Sequence, residues 1–320
     1  MVSGPEVSVI IPVYNGGEGI VDTIVAVLNQ DYPRKKYEIV VVDDGSTDGT
    51  PERLMQFGNS IRVIRHERNK GSAAARNMGA RSARGSVLAF TDSDCAPDKD
   101  WLAKGMKYFA DGKVGGVSGH TRTDARRKSY LTHYSENVDN NEFYPTCNMF
   151  YRRGVFLKFG GFREDIGVLF LYDTDLALRI IESGKWKVPF AKDVRVFHPC
   201  FDVSLRKKIE IETRLHACDA LYFRLHSEFY RRKFLLFWRV RKSAPYIALT
   251  FLLAAGLLTQ AFAVPALALY ALLVLAYLKV REFKLTPKDY AAAFLTIWLM
   301  PLINQFLVLK GDLKYGALII

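Results

Sequence analysis

At 320 residues, 49% hydrophobic and with a formal net charge of +12, the chain can bury a large core and is too long for one small domain. The positive charge gathers beside two long apolar runs near the C-terminus, which points to membrane attachment and away from nucleic acid as the partner. Four cysteines, Cys95, Cys147, Cys200 and Cys218, form no Cys-x-x-Cys pair, which argues against a zinc site or a disulfide framework and fits a reducing compartment.

Val7 to Val13 is an apolar run closed by Tyr14, Asn15 and two glycines; it reads as a buried parallel strand and is too short for a signal-peptide core. A helix follows from about Gly19 to Gln30, with apolar positions at Ile20, Ile24, Val27 and Leu28. Tyr37 to Asp43 gives a second buried strand, and the acidic turn after it, to Asp48, can cap a helix starting near Pro51. Ile61 to His66 is a third strand. The loop Asn69-Lys70-Gly71, with Lys70 as a solvated charge, leads into a helix from Ser72 to Ala83. Val87 to Phe90 is a fourth strand, and it delivers Asp92 and Asp94. Strand and helix alternate over the first hundred residues, so the expected fold class is α/β, a mostly parallel sheet with helices on both faces. In such sheets ligands gather at the carboxyl ends of strands, where both acidic turns lie.

From about Val114 the pattern loosens into shorter polar segments. Gly160-Gly161-Phe162 is a turn, Tyr172 to Gly184 is helical with Asp173 and Asp175 in its first turn, and Val194 to His198 is a further strand. Ser204 to Arg232 reads as one long charged helical stretch. Ser243 to Leu278 then runs 36 residues without a charge, and Tyr290 to Leu309 another 20, where about 20 suffice to span a bilayer as helix. Glu228 to Arg241 mixes Phe229, Phe234, Leu235, Phe237 and Trp238 with basic side chains, the pattern of a helix lying among headgroups. The expected organisation is a cytoplasmic globular domain over 1–227, an interfacial helix over 228–242 and about three transmembrane helices over 243–320, with the basic flanks on the cytoplasmic side of the cell membrane.

Two carboxylates one residue apart at a strand end can share a divalent cation that holds a diphosphate; the plainer alternative is an Asx turn closing the strand. The chain has neither the G-x-G-x-x-G of a dinucleotide site nor a Walker-type loop, so dehydrogenases and kinases fit poorly. A nucleoside diphosphate bridged by Mg2+ or Mn2+, with Arg76 nearby, fits better.

SVIIPVYNGG, VVVDDGSTDGT, NKGSAAARNMGA, VLAFTDSDC, GGF and YDTDLALRI, in this order over roughly residues 5 to 200, resemble the family 2 glycosyltransferases of GT-A fold. The resemblance implies inverting transfer of a sugar from a nucleotide diphosphate sugar, UDP- or GDP-linked. By it, Tyr14 stacks on the donor base with Pro12 beside it. Asp44 binds the base, with Asp43 and Ser46 supporting the turn. Arg76 lies near the phosphates, Asp92 near ribose and metal, and Asp94 is the metal ligand. Asp173 matches the general base of the family's Glu-Asp pair. The Glu of that pair is Tyr172 here, which leaves Asp175 as a substitute base. If the acceptor is an ionised phosphate, Asp173 orients it only. The Gln-x-x-Arg-Trp motif of processive members is absent; Glu212-Thr213-Arg214-Leu215 and Tyr222-Phe223-Arg224 occur instead, which disfavours a polymer synthase.

His198 either completes the metal or diphosphate site or is a hydrogen-bonded structural histidine. Asn148 and Arg152 either face the acceptor, as Asp175 would, or pack their loop. A catalytic domain held against the bilayer suits a lipid-linked acceptor such as a polyprenyl phosphate. The alternatives are a soluble or protein-bound glycan, with the helices as anchor, and a tethered sugar-nucleotide binding protein without turnover.

Overall fold

Strand β1, Val7–Val13, is buried at all seven positions, as an apolar run must be when helices cover both faces of a parallel sheet. β2, Tyr37–Asp43, lies parallel to it with Val7 opposite Tyr37 and Val13 opposite Asp43. β3, Arg62–Arg65, extends the parallel set beyond β2, and β4, Val87–Phe90, pairs parallel on the other side of β1. One face packs on helix α1, Gly19–Leu28, through Ile20, Ile24 and Val27, and on α2, Thr50–Met55, through Leu54. The other face carries α3, Ser72–Ser82. Gly79 lets that helix settle, because a Cβ there would lie 2.5 Å from Ile10 and 3.0 Å from Val42.

The computed structural model describes residues 4–124, 129–140, 142–165, 171–217, 219–232, 310 and 313–314. The chain divides into two units, Met1–Thr123 with Tyr134–Pro199, and Asp124–His133 with Cys200–Ile320. The first unit holds the sheet. Past β4 it continues through β5, Ala96–Pro97, helix α4, Trp101–Lys107, and β6, Gly116–Arg122. In the second unit β7, Thr132–His133, intervenes in sequence. β8, Met149–Arg152, helix α5, Arg153–Lys158, helix α6, Leu171–Glu182, and β9, Phe190–Phe197, complete the first unit. The strand order is β3-β2-β1-β4-β8-β6-β9-β5, antiparallel where β4 meets β8, β8 meets β6 and β9 meets β5, and otherwise parallel.

β6 and β8 lie where the sequence pattern looks loose, and packing explains why. Gly116 and Gly119 make β6 read as a loop. A Cβ on Gly116 would sit 2.6 Å from the Tyr151 ring, and one on Gly119 2.3 Å from the Asn148 amide. The glycines are there because β8 and the turn before it bring large side chains across.

Asn148 takes the packing alternative, which corrects the expectation that it faces an acceptor. It is fully buried. Its Oδ1 accepts from Trp101 Nε1 at 2.9 Å, and its Nδ2 donates to the carbonyls of His120 at 3.1 Å and Val194 at 3.0 Å. Arg152 likewise donates to the carbonyls of Val114 and Phe109.

In the second unit β7 pairs antiparallel with β10, Phe201–Asp202. Helix α7, Leu205–Ala217, α8, Asp219–Leu225, and α9, Ser227–Tyr230, stand where one long helix is expected. His226, at φ −137° and ψ 56°, leaves helical geometry and separates the last two. Among the described residues no helix is long and apolar enough to cross a membrane. The runs 243–278 and 290–309 behind the transmembrane expectation, and 233–242 of the interfacial helix, lie outside the described residues.

Asn148→Ala would leave the Trp101 indole and two carbonyls unpaired. The expected loss is about 3 kcal/mol, at roughly 1–3 kcal/mol per buried group, read by urea unfolding of the chain. A loss within error of zero would contradict the stitching role.

Candidate active site

β1, β2 and β4 end at the same edge of the sheet, so parallel pairing alone brings Tyr14, Asp44, Asp92 and Asp94 to one rim. Tyr14 is 48% exposed there. Pro12 is buried in β1 opposite Val42, two residues before Tyr14. The first two turns are tied together. The Asn15 N–H donates to Ser46 Oγ at 2.9 Å, the Thr47 N–H to Asn15 Oδ1 at 2.9 Å, and the Asp44 N–H to the Val13 carbonyl at 2.8 Å.

Asp43 accepts from the Ser46 N–H at 2.8 Å and pairs with Arg65. Asp44 is buried, and both of its oxygens are engaged. Oδ1 meets His66 Nδ1 at 2.7 Å and the Lys70 N–H at 3.0 Å, while Oδ2 accepts from the Gly71 N–H at 2.8 Å. Asp44 thus holds the loop that enters α3, with Gly71 at φ +94° supplying a left-handed turn.

Arg76 on α3 is buried and pairs with Asp92 Oδ1, and its Nη1 donates to Tyr172 Oη at 2.6 Å. Tyr172 Oη also meets Ser72 Oγ at 3.0 Å. Burial by itself would lower the Arg76 pKa, but Tyr172, Asp92 and Asp173 outweigh it and raise it, so the guanidinium stays charged.

Asp92 Oδ2 lies 3.9 Å from His198 Nε2, and Asp94 Oδ1 lies 3.8 Å from the same nitrogen. The ligand atoms of Asp92, Asp94, Cys95 and His198 all fall within 4.8 Å of one another. His198 Nδ1 lies 2.9 Å from the Pro199 carbonyl. A carbonyl only accepts, so Nδ1 carries a proton, and Nε2 faces the carboxylates, where a cation between them could take it as a ligand. That is how metal-binding histidines are usually oriented. Burial raises the Asp94 pKa, His198 opposes this and Asp92 reinforces it. For His198 burial lowers the pKa, yet Cys147, Asp94 and Asp92 outweigh it and raise it. Two carboxylates and an imidazole nitrogen are a donor set that fits a divalent cation.

Asp173 sits in the first turn of α6, buried. Its Oδ1 accepts from the Thr174 N–H at 2.7 Å and its Oδ2 from the Thr146 N–H at 3.3 Å. Burial pushes its pKa up to about 7 against these bonds and the charge of Arg76. Asp175 goes elsewhere. It is fully buried and paired with Arg179 at 2.8 Å, and Arg179 donates to the carbonyls of Phe159 and Gly161. This anchors the Gly160-Gly161-Phe162 turn and corrects the expectation that Asp175 is an acceptor-side group or a substitute base.

A model of "Glycosyl transferase family 2" matches residues 8–180. The chain belongs to this family. Glycosyltransferase AglE of Haloferax volcanii is 34% identical over 221 residues, 65% of this chain and 72% of AglE. Two solved structures share the fold. Mannosyltransferase PcManGT from Pyrobaculum calidifontis, in complex with GDP-Man and Mn2+, superposes with a TM-score of 0.67 at 24% identity, over 98% of this chain and 88% of that one. S. aureus TarS 1-349 in complex with UDP-GlcNAc gives 0.51 at 18% identity, over 98% and 93%. The chain is therefore a family 2 glycosyltransferase with a GT-A α/β fold.

Three participants escape sequence reasoning: His66, which carries no motif signal, Ser72, which lies in a quoted motif without a role of its own, and Tyr172, visible only as a departure from the family's Glu. Each acts through a neighbour distant in sequence.

The raised Asp173 pKa has a sign that can be tested. Its protonated form favours the folded state fully below the ordinary carboxylate value of 3.8, and that contribution is lost as pH rises toward about 7. Asp173→Asn should remove that part of the pH slope between 4 and 7 and leave the variant the more stable protein at neutral pH. Parallel denaturation curves for the two proteins across that range would contradict the assignment.

Proposed function

We propose that this family 2 glycosyltransferase is a membrane-bound, inverting enzyme that moves one sugar from a nucleotide diphosphate donor to a lipid-linked acceptor such as a polyprenyl phosphate. The observation that carries the reading is the meeting of Asp92, Asp94 and His198 at the sheet's carboxyl edge, beside a buried arginine. GDP-Man and Mn2+ in PcManGT, and UDP-GlcNAc in TarS, support a nucleotide sugar and a divalent cation here as well.

Tyr14 offers an exposed ring for the base at the rim where Asp44 fixes the neighbouring loop. Asp94 and His198 would hold Mg2+ or Mn2+, with Asp92 alongside. When bound, that ion neutralises charge developing on the departing nucleoside diphosphate. Arg76 positions Asp92 and keeps a positive charge next to it. Asp173, with a pKa near 7, suits a general base that takes the acceptor hydroxyl proton as the new glycosidic bond forms. With an ionised phosphate as acceptor it would orient the nucleophile instead. The uncharged runs 243–278 and 290–309 and their basic flanks support a multi-pass anchor with the catalytic domain on the cytoplasmic face.

Asp94→Ala should abolish divalent-dependent transfer with the fold intact; an active variant would remove the metal role. Asp173→Asn should keep donor binding and lose at least about 100-fold in transfer to a hydroxyl acceptor, the scale of general-base catalysis. Wild-type transfer to that acceptor should rise with pH through about 7. For the acceptor class, membranes given radiolabelled nucleotide sugar should place label in the organic-extractable fraction. Label confined to protein or aqueous glycan would contradict the lipid-linked reading, and donor binding without any turnover would contradict the enzyme.

A further inference from the structure

Cys95 follows Asp94 directly, and its side chain turns inward, 1% exposed, with Sγ 3.7 Å from Asp94 Oδ1. The loop carrying it is fixed. Thr23 Oγ1 on α1 donates to the Cys95 carbonyl at 2.8 Å, and Gly19 at the start of α1 lies close enough to Ser93 that a Cβ would sit 3.4 Å from its carbonyl oxygen. We infer that Asp92, Asp94, Cys95 and His198 form a closed four-ligand site for a thiophilic divalent cation, zinc being the biologically common one, with the Cys95 thiolate as a ligand. Zinc bound there blocks the pocket. The inference rests on the metal role proposed for Asp94 and His198 and extends it to a residue outside the Asp-x-Asp pair.

Ligand spacing differs between zinc and the hard cations. Ligands about 2.0–2.3 Å from a tetrahedral zinc stand roughly 3.4–3.6 Å apart. Oxygens about 2.1 Å from an octahedral magnesium stand near 3.0 Å apart. The spacings here are 3.7 Å from Cys95 Sγ to Asp94, 3.8 Å from His198 to Asp94 and 3.9 Å from His198 to Asp92. These three spacings lie nearer the tetrahedral value than the spacing of adjacent octahedral ligands, and all four ligand atoms fall within 4.8 Å of one another.

The chemistry agrees. Soft thiolate and borderline imidazole favour zinc, and mixed sites bind it more tightly than manganese. With a hard cation Cys95 remains a thiol that donates to Asp94. With zinc the S–H bond breaks, the proton goes to solvent and the sulfur–metal bond forms. Burial and the neighbouring Cys147, to which it is hydrogen-bonded, push the Cys95 thiol up, so it is the cation that must displace its proton. Four protein ligands leave no position for a diphosphate oxygen, so zinc bound in this way excludes the metal-bridged donor.

The test uses full-length, metal-stripped protein in detergent, without nucleotide, titrated with Cd2+ as a spectroscopic stand-in for zinc. A sulfur-to-cadmium charge-transfer band should saturate at one equivalent. It should disappear in Cys95→Ser, persist in Cys147→Ser, and weaken in Asp94→Ala and His198→Ala. Zn2+ should displace Mn2+, followed by electron paramagnetic resonance, at least about 10-fold more readily from wild type than from Cys95→Ser, the scale on which a lost thiolate changes affinity. The wild-type spectrum decides even if a variant misfolds. Cadmium bound without a sulfur band, or a band that survives Cys95→Ser, overturns the inference. Mn2+ binding that depends on Asp94 in the same preparation would show the proposed function standing while the Cys95 ligand falls.

Discussion

The interaction on which the active-site rim depends is the ion pair between Arg76 and Asp92. A buried guanidinium without a partner is strongly unfavourable, and breaking such a pair from one side costs about 3–5 kcal/mol. Here the charge is answered by Asp92 and by Tyr172 Oη. Three segments are thereby tied at one point: α3, the loop leaving β4 and the first turn of α6. Asp92 has one oxygen on Arg76 and turns the other toward His198. That orientation makes the edge of a parallel sheet into a cation site, where otherwise an Asx turn would suffice. Tyr172 stands where the resemblance leads one to expect a glutamate, and its phenol, with Asp92, is what Arg76 meets here.

Much of the first hundred residues was legible because the inner strands β1, β2 and β4 of the covered parallel sheet are apolar on both faces, and α1 shows its stripe. The rim residues followed from strand ends. The later sheet was not legible, since β6 is built from glycines that make room for Tyr151 and Asn148, and a strand chosen for what its neighbours need has no periodicity of its own. Asn148 and Asp175 illustrate the same limit at the level of single residues. Polar side chains near a motif look available in sequence, and in the fold their bonds are committed to carbonyls and to Arg179. Cys95 shows the reach of topology: its ligand atom lies within 4.8 Å of those of Asp92, Asp94 and His198, more than a hundred positions away in the last case, because β9 ends beside the loop after β4.

The basic charge and the uncharged C-terminal runs bear on where the enzyme works. The proposed lipid-phosphate acceptor would need the globular part held near a bilayer, and the mixed aromatic and basic residues of 228–241 followed by the uncharged runs are a sequence pattern that suits this. The proposed chemistry requires only that cation, diphosphate and acceptor meet at Asp94 and Asp173.

Calorimetric titration of a nucleoside diphosphate into the protein, with and without Mn2+ and in wild type against Asp94→Ala, tests the central claim most directly. The account predicts binding that needs the cation in wild type and is lost in the variant even when Mn2+ is present. Nucleotide binding of equal strength in all four combinations would show that the carboxylates and His198 gather at the sheet edge for another reason.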